Sequence, residues 1–189
     1  NIGVTSLVGS FRLALTDWLE TRLSADFYVT AGVINADTIG GEAWVRSAHR
    51  RVVAETSFAG RTMTVVGVDV GAPDFGPANV IDGAPNSFID WSLGSDKIER
   101  VFANEQLRYL AGIKVGDTIA LETELGARLF EVLGFFHDYG NVNFSVHLPS
   151  HRFNKLYSSA KPQGWGLWIT DDEQEAAELG LSELGLEPT

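Results

Sequence analysis

Hydrophobic residues recur at steps of three and four along the first part of the chain. This spacing is typical of an amphipathic helix, because one face of a helix repeats about every 3.6 residues. No proline interrupts the pattern, so residues 5–25 predict one continuous helix about 30 Å long. Its apolar positions are Leu7, Val8, Phe11, Leu15, Trp18, Leu19 and Leu23.

After this helix, short apolar runs typical of strands alternate with a few helical segments. Asn104 and Pro149 mark the starts of two internal helices, and a last acidic helix begins near Asp171. Glycine, proline, aspartate and asparagine dominate residues 71–96, which predicts a loop. The order of elements predicts an α+β fold. Its strands are predicted at 27–29, 51–58, 62–70, 100–103, 118–122, 128–136, 144–148 and 165–170.

Composition narrows the class of protein. The chain has 189 residues, a formal net charge of −11 and no cysteine. The negative charge disfavours nucleic acid and anionic lipid headgroups as partners, since both carry phosphates. The lack of cysteine excludes a thiol nucleophile, an iron–sulfur cluster and a thiolate zinc site. The length suits one domain or two closely packed lobes.

The sequence carries no stretch of ~18 uninterrupted apolar residues, which a bilayer-spanning helix needs, and no signal peptide opens it. It begins at Asn1, directly inside the amphipathic pattern. We therefore expect the chain to be a piece of a longer protein whose membrane anchor lies outside these residues.

Sequence motifs for catalysis are absent. The chain has no G-x-S-x-G nucleophile turn and no G-x-x-x-x-G-K-[ST] phosphate loop. Histidines at 137, 147 and 151 are candidates for a metal-assisted hydrolase, but Pro149 separates the last two and predicts a strand-to-helix junction there. We expect no catalytic centre, no metal and no cofactor in this domain, and the hydrolase stays an open alternative.

Aromatic residues suggest a second alternative. Trp91 lies in the predicted loop, where a large ring can mark a contact surface, and Trp168 is not assigned to a core face. Together with Tyr139, these side chains suit a stand-alone module that binds a peptide or a carbohydrate outside the cell.

Two stretches of the sequence resemble the extracytoplasmic domain of FtsX-like ABC transporter permeases, the MacB-like periplasmic core domain. Residues 8–29 resemble the segment that leaves the first transmembrane helix and enters the first strand. Residues 102–157 are similar to the family's strand, helix and Lys-x-Gly-Asp hairpin, followed by a V-x-G-x-F-x-D-Y-G run. The motif positions here are Lys114, Gly116, Asp117, Val132, Gly134, Phe136, Asp138, Tyr139 and Gly140.

The resemblance implies a fold of two lobes. A porter-like α/β lobe would be built from both chain ends, residues 1–58 and 141–189, and would include the long N-terminal helix. A smaller β-rich lobe, residues 59–140, would be inserted between them. The family lies on the extracytoplasmic side of the cell membrane, between flanking transmembrane helices.

The resemblance also implies a mechanism without catalysis. A separate cytoplasmic ATPase would bind ATP and drive a dimer, formed with a second permease copy or a paralogue, and the motion would pass outward through the N-terminal helix. We assign mechanical coupling to Phe11, Leu15, Trp18 and Leu19. We assign contact with an exported substrate or partner to Trp91, Asp138 and Tyr139.

Overall fold

The structure is a computed structural model. The predicted N-terminal helix, with the four residues assigned to mechanical coupling, lies outside the described residues, and so does Tyr139. The residues that the structure describes are 27–30, 41–43, 45–72, 80–83, 87–138, 141–169 and 173–185.

Strands and helices are mixed along the described residues, which confirms an α+β fold. The four described helices are α1 (Ser87–Leu93), α2 (Glu105–Ala111), α3 (Ser150–Leu156) and α4 (Gln174–Glu183). Within the described ranges, every helix is too short or too polar to cross a bilayer. The described strands are β1 (Phe27–Thr30), β2 (Val45–Phe58), β3 (Arg61–Val68), β4 (Val80–Gly83), β5 (Glu99–Asn104), β6 (Thr118–Thr123), β7 (Gly126–Phe136), β8 (Phe144–Pro149) and β9 (Pro162–Ile169).

These strands form one nine-stranded sheet in the order β1-β9-β2-β3-β8-β5-β7-β4, with β6 also paired to β7. The β3–β8 and β5–β7 pairs are parallel, and the other pairs are antiparallel. Strands β2 and β6 touch although they are not paired, so the sheet curls around its main core. Strand β7 is central to this arrangement because β5, β6 and β4 all pair with it.

Three apolar clusters hold the described residues together. The largest fills the concave side of the curled sheet, and α3 and α2 add Phe153, Leu156 and Leu107 to it. A second cluster joins α4 to β9 through Ala177, Leu181 and Leu167. The third covers the opposite side of the sheet under α1, and it consists of Val66, Val68, Ala72, Trp91, Phe102 and Phe136 with partly buried neighbours.

The prediction of a loop over residues 71–96 is wrong in part, because β4 and α1 lie inside it. Helix α1 forms where Phe88 and Trp91 pack against Phe102, with ring centroids 6.4 and 5.7 Å away. Burying two large rings stabilises a short helix that local propensity alone would not support. Tertiary packing therefore overrides the turn-forming composition of this segment.

The described strands of the two predicted lobes share one sheet. Strand β2, from the first predicted segment, pairs with β3, from the second, at every position from Val52↔Gly67 to Phe58↔Arg61. Strand β8 pairs with β3 on one side and β5 on the other. The division into lobes at 58/59 and 140/141 stays a prediction.

Candidate functional site

The candidate site is the turn that follows β7, where the sequence assigned a contact role to Asp138. Strand β5 runs parallel to β7, and their registers align Asn104 with Phe136 at the same end of the sheet. Helix α2 begins directly after β5. The parallel pairing therefore brings the start of α2 beside the turn, although the two segments lie more than 30 residues apart.

Asp138 is only 5% exposed, and amide side chains surround its carboxylate. Asn141 donates a hydrogen bond from Nδ2 to Asp138 Oδ2 over 2.9 Å, and Asn104 Nδ2 lies 3.5 Å from the same oxygen. Asn104, which is fully buried, also donates to the carbonyl oxygen of Asn143 and accepts from the amide of Ser145. A buried carboxylate with amide donors around it shapes a turn and does not itself offer a surface.

Gln106, on the first turn of α2, bonds the main chain on both sides of residues 139–140. Its Nε2 donates to the carbonyl oxygen of Asp138 over 3.1 Å and to that of Asn141 over 2.9 Å. The backbone amide of Asn143 donates to Asn141 Oδ1 over 3.0 Å. Val142, between these anchored residues, is exposed. The described residues on both sides of 139–140 are thus fixed by hydrogen bonds, and Val142 beside them is exposed.

A half-buried hydrogen bond adds to the same corner. His137 Nδ1 lies 3.0 Å from Glu105 Oε2, which joins the end of β7 to the first residue of α2. Several of the polar contacts described at this corner join β7 and its turn to β5 or α2, and others bond residues within the turn. The arrangement can hold the two described sides of the turn in one shape, and none of the contacts described at this corner joins a nucleophile to a base.

The family-like motif residues occupy structural positions. Gly116 has a φ of 90° at the tight turn before β6, a conformation that favours glycine. The Asp117 carboxylate accepts a hydrogen bond from the amide of Lys114 over 2.9 Å, and the carbonyl oxygen of Asp117 accepts one from the amide of Val132. The Lys-x-Gly-Asp sequence therefore closes the turn onto β7.

Gly134, in the V-x-G-x-F-x-D-Y-G run, allows β4 to approach β7. A Cβ atom at this position would lie 2.2 Å from the carbonyl oxygen of Asp82 and 3.0 Å from the ring of Phe102. Any side chain there would force the two strands apart. The motif thus specifies how β4, β6 and β7 pack.

Trp91 and Trp168 do not form an exposed platform. Trp91 has no exposed surface, and its indole N–H donates to the carbonyl oxygen of His147 over 2.9 Å. The expectation of an exposed position for Trp91 is therefore wrong, since the ring belongs to the core under α1. Trp168 is also buried, with its ring edge against His49.

The three histidines of the hydrolase alternative lie in different settings. His137 pairs with Glu105, His147 is buried on β8 with its ring against Phe136, and His151 is exposed on α3. Within the described residues, no group of three histidine, aspartate or glutamate side chains is arranged to hold a metal ion. The hydrolase alternative therefore gains no geometric support from these residues.

The turn is held by Asn104, Gln106 and Asn141. The sequence marked Asn104 only as the start of a helix, and it did not single out Gln106 or Asn141. One signal was present. Asn104 ends the apolar run Val101-Phe102-Ala103, and an asparagine at the end of a buried strand needs partners for its amide. The partners themselves depend on the β5–β7 pairing, which the sequence does not reveal.

No protein-family model and no curated protein matches the sequence. The fold is nevertheless similar to solved structures. One is the extracellular domain of the noncanonic ABC-type transporter YknZ from Gram-positive bacteria, with a TM-score of 0.55 and 14% identity over 82% of this chain and 86% of that one. Another is the periplasmic region of MacB from Actinobacillus actinomycetemcomitans, with a TM-score of 0.55 and 15% identity over 83% of this chain and 80% of that one. The chain therefore has the fold of these extracytoplasmic transporter domains, and the resemblance to the MacB-like domain is confirmed at the level of fold.

Proposed function

We propose that this chain is the extracytoplasmic domain of an FtsX/MacB-type ABC transporter permease. The observation that carries the proposal is the shared fold, which extends over more than four fifths of the chain in both comparisons. The structural roles of Gly116, Asp117 and Gly134 support it, because the same motif residues carry the resemblance in the sequence.

In this function the domain performs no chemistry. A cytoplasmic ATPase, bound to the rest of the permease, hydrolyses ATP, and a second permease copy or a paralogue completes the dimer. The proposed helix over residues 5–25 carries the motion from the membrane to the sheet, because a continuous helix is stiff along its axis. The segment after Asp138, which includes Tyr139, contacts the exported substrate or a partner protein.

The contact role assigned to Asp138 is refined by its burial. We propose that the carboxylate orders the turn and that the exposed residues beside it make the contact. The alternative of a stand-alone peptide- or carbohydrate-binding module has less support, since the rings of Trp91 and Trp168 are buried. Within the described residues, neither of these two tryptophans therefore offers an exposed ring for stacking on a ligand.

The test of location uses the full-length protein in intact cells. Because residues 1–189 contain no cysteine, Ser57→Cys introduces a single exposed thiol into this region. We expect a membrane-impermeant maleimide to label the variant in intact cells more strongly than it labels the unsubstituted protein. Labelling only after cell lysis would place the domain in the cytoplasm and exclude the proposal.

The gene provides an independent check. One apolar segment of about 20 residues should precede residue 1, and about three more should follow residue 189. A gene without apolar segments on either side would contradict the proposed function.

A further inference from the structure

The β6–β7 hairpin has an apolar outer face that the proposed function does not use. In its register Ala120 lies opposite Leu129, and Glu122 lies opposite Ala127. Opposed residues of an antiparallel pair share one face, with Cβ atoms about 5 Å apart. All four are exposed, whereas Ile119 and Phe130 face the core. The alanines and Leu129 therefore form a continuous strip on the solvent side.

Leu125 extends this strip at the tip of the hairpin. It is 56% exposed, and Leu129 is 55% exposed. Short hairpin turns normally use glycine, asparagine, aspartate or serine. A leucine at this position neither favours the backbone conformation of the turn nor buries its side chain in the core. An exposed leucine in a turn breaks the usual pattern of turn residues and adds no packing to the domain itself. Such an exception points to a contact made in a complex.

Hydrogen bonds hold the tip in one shape. Thr123 Oγ1 accepts from the amide of Leu125 over 3.1 Å and donates to the carbonyl oxygen of Gly126 over 2.6 Å. The amide of Glu124 donates to the carbonyl oxygen of Leu156, at the end of α3, over 3.1 Å. A preformed contact surface loses less conformational entropy on binding than a flexible one.

Acidic residues border the strip. Glu122 and Glu124 are both exposed, and Ser159 bonds the Glu124 carboxylate through its hydroxyl and its amide. These bonds lower the pKa of Glu124, whose carboxylate is charged at neutral pH in any case. The charge of these bordering residues is negative, as is the net charge of the chain, −11. An apolar strip with an acidic border complements an apolar surface with a basic border.

We propose that the outer face of the β6–β7 hairpin, formed by Ala120, Leu125, Ala127 and Leu129, docks a separate protein whose apolar contact surface is bordered by lysine or arginine. A second copy of this chain fits less well, because it would bring Glu122 and Glu124 against the same acids. A membrane fits less well, since inserting Leu125 would carry Glu124 into the headgroup region. That this protein is extracytoplasmic rests on the proposed function.

The surface is distinct from the Asp138 turn. Strand β7 has 11 residues and is at most about 33 Å long, and it places the hairpin tip and the Asp138 turn at its opposite ends. The two surfaces can therefore be tested by separate substitutions.

The experiment uses the isotope-labelled 189-residue chain and two synthetic peptides with the same pattern of leucine and phenylalanine. One peptide carries lysine at its charged positions, and the other carries glutamate. We expect the lysine peptide to shift the amide resonances of Ala120, Leu125 and Leu129, and the glutamate peptide to shift none. Leu125→Ser should weaken the lysine peptide's binding about ten-fold. Leu179→Ser, at a leucine of similar exposure on α4, should leave it unchanged.

Several results would overturn the proposal. Shifts confined to acidic α4, or equal binding to Leu125→Ser, would mean that the peptide follows charge alone. A concentration-dependent dimer, or binding to phosphatidylcholine vesicles, that Leu125→Ser abolishes would assign the strip to a second copy or to a membrane. The peptide experiment is independent of the maleimide test of location. Labelling in intact cells without peptide binding would therefore exclude the docking surface and leave the proposed function standing.

Discussion

Gln106 shows how one side chain can set the shape of a candidate contact surface. Its single Nε2 atom bonds the carbonyl oxygens of Asp138 and Asn141, which lie on either side of residues 139–140 in the sequence. Gln106→Leu keeps the approximate size of the side chain and removes both donors. We expect a loss of about 1–2 kcal/mol in the free energy of unfolding, because two half-buried carbonyls each lose a hydrogen bond.

The loss should be local to the turn. Amide hydrogen exchange should increase at Asn141 and Asn143 and stay unchanged on β9. Gln174→Leu is the matched control, since Gln174 bonds only the exposed Glu178 on α4 among the contacts described. Equal exchange at the turn in Gln106→Leu and the parent chain would show that Gln106 does not order it.

Asp69, at the junction of β2, β3 and α3, should make the stability of the fold depend on pH. Burial raises the pKa of this carboxyl, but hydrogen bonds from His49, Ser150 and the amide of Arg50 outweigh burial and lower it below its ordinary value. A carboxyl with a lowered pKa in the folded state stabilises the fold above its unfolded pKa, and the contribution disappears as the pH falls. Chemical denaturation should therefore show a stability loss below about pH 4 that Asp69→Asn reduces. An identical acid dependence in both proteins would contradict this role.

At the scale of elements, an ion pair joins α3 to β5 and to the segment before it. Arg152 donates from Nε and Nη2 to the two carboxylate oxygens of Glu99, at 3.0 and 2.5 Å, and from Nη1 to Asp96 at 2.7 Å. Arg152 and Glu99 are both buried. The bonds to Glu99, followed by that to Asp96, raise the pKa of Arg152 above its usual range.

Arg152→Met should cost about 3–5 kcal/mol in the free energy of unfolding, because it leaves the Glu99 carboxylate buried without its counter-ion. The double variant Arg152→Met/Glu99→Leu should recover most of that loss, since two apolar groups can pack in place of the pair. Urea denaturation of both variants measures the difference. Lys155→Met is the control, because Lys155 is exposed and its contact with Asp96, at 3.9 Å, is long and therefore weak. A double variant as unstable as the single one would mean that packing, and not charge, holds α3 in place.

The strands with strong alternation were predictable from the sequence. The hairpin predicted at 118–122 and 128–136 corresponds to Thr118–Thr123 and Gly126–Phe136. Helix α1 was not predictable, because its short sequence has few helical signals and its stability comes from Trp91 packing on Phe102. Local patterns reveal elements whose stability is local, and they miss elements that depend on distant partners.

At the scale of the whole molecule, the candidate site was only partly predictable. The resemblance led to Asp138, but neither its burial nor its partners followed from the sequence. Asn104 and Asp138 are 34 residues apart, and they meet because β5 and β7 are parallel neighbours. Parallel pairing carries no short-range turn signal, unlike a hairpin. The same limit applies to the order of the nine strands.

The proposed transmission of force leads to a prediction about the full-length transporter. Leu15→Pro should interrupt the proposed helix over residues 5–25, because proline removes a helical hydrogen bond and clashes with the preceding turn, at about 3 kcal/mol. We expect substrate export to be lost while the partner ATPase still hydrolyses ATP. Leu15→Ala is the control, since alanine keeps the helix and removes only the larger side chain.

Two measurements separate lost coupling from a lost fold. The Leu15→Pro variant should retain the maleimide labelling of Ser57→Cys in intact cells, and circular dichroism of the 189-residue chain should retain the strand signal of the sheet. Strand β1 begins at Phe27, beyond the proposed helix, and pairs with β9 from Phe27↔Leu167 to Thr30↔Gly164. The sheet therefore does not require residue 15 for its pairing. Unchanged export by Leu15→Pro would show that a continuous N-terminal helix does not carry the motion, whatever the location of the domain.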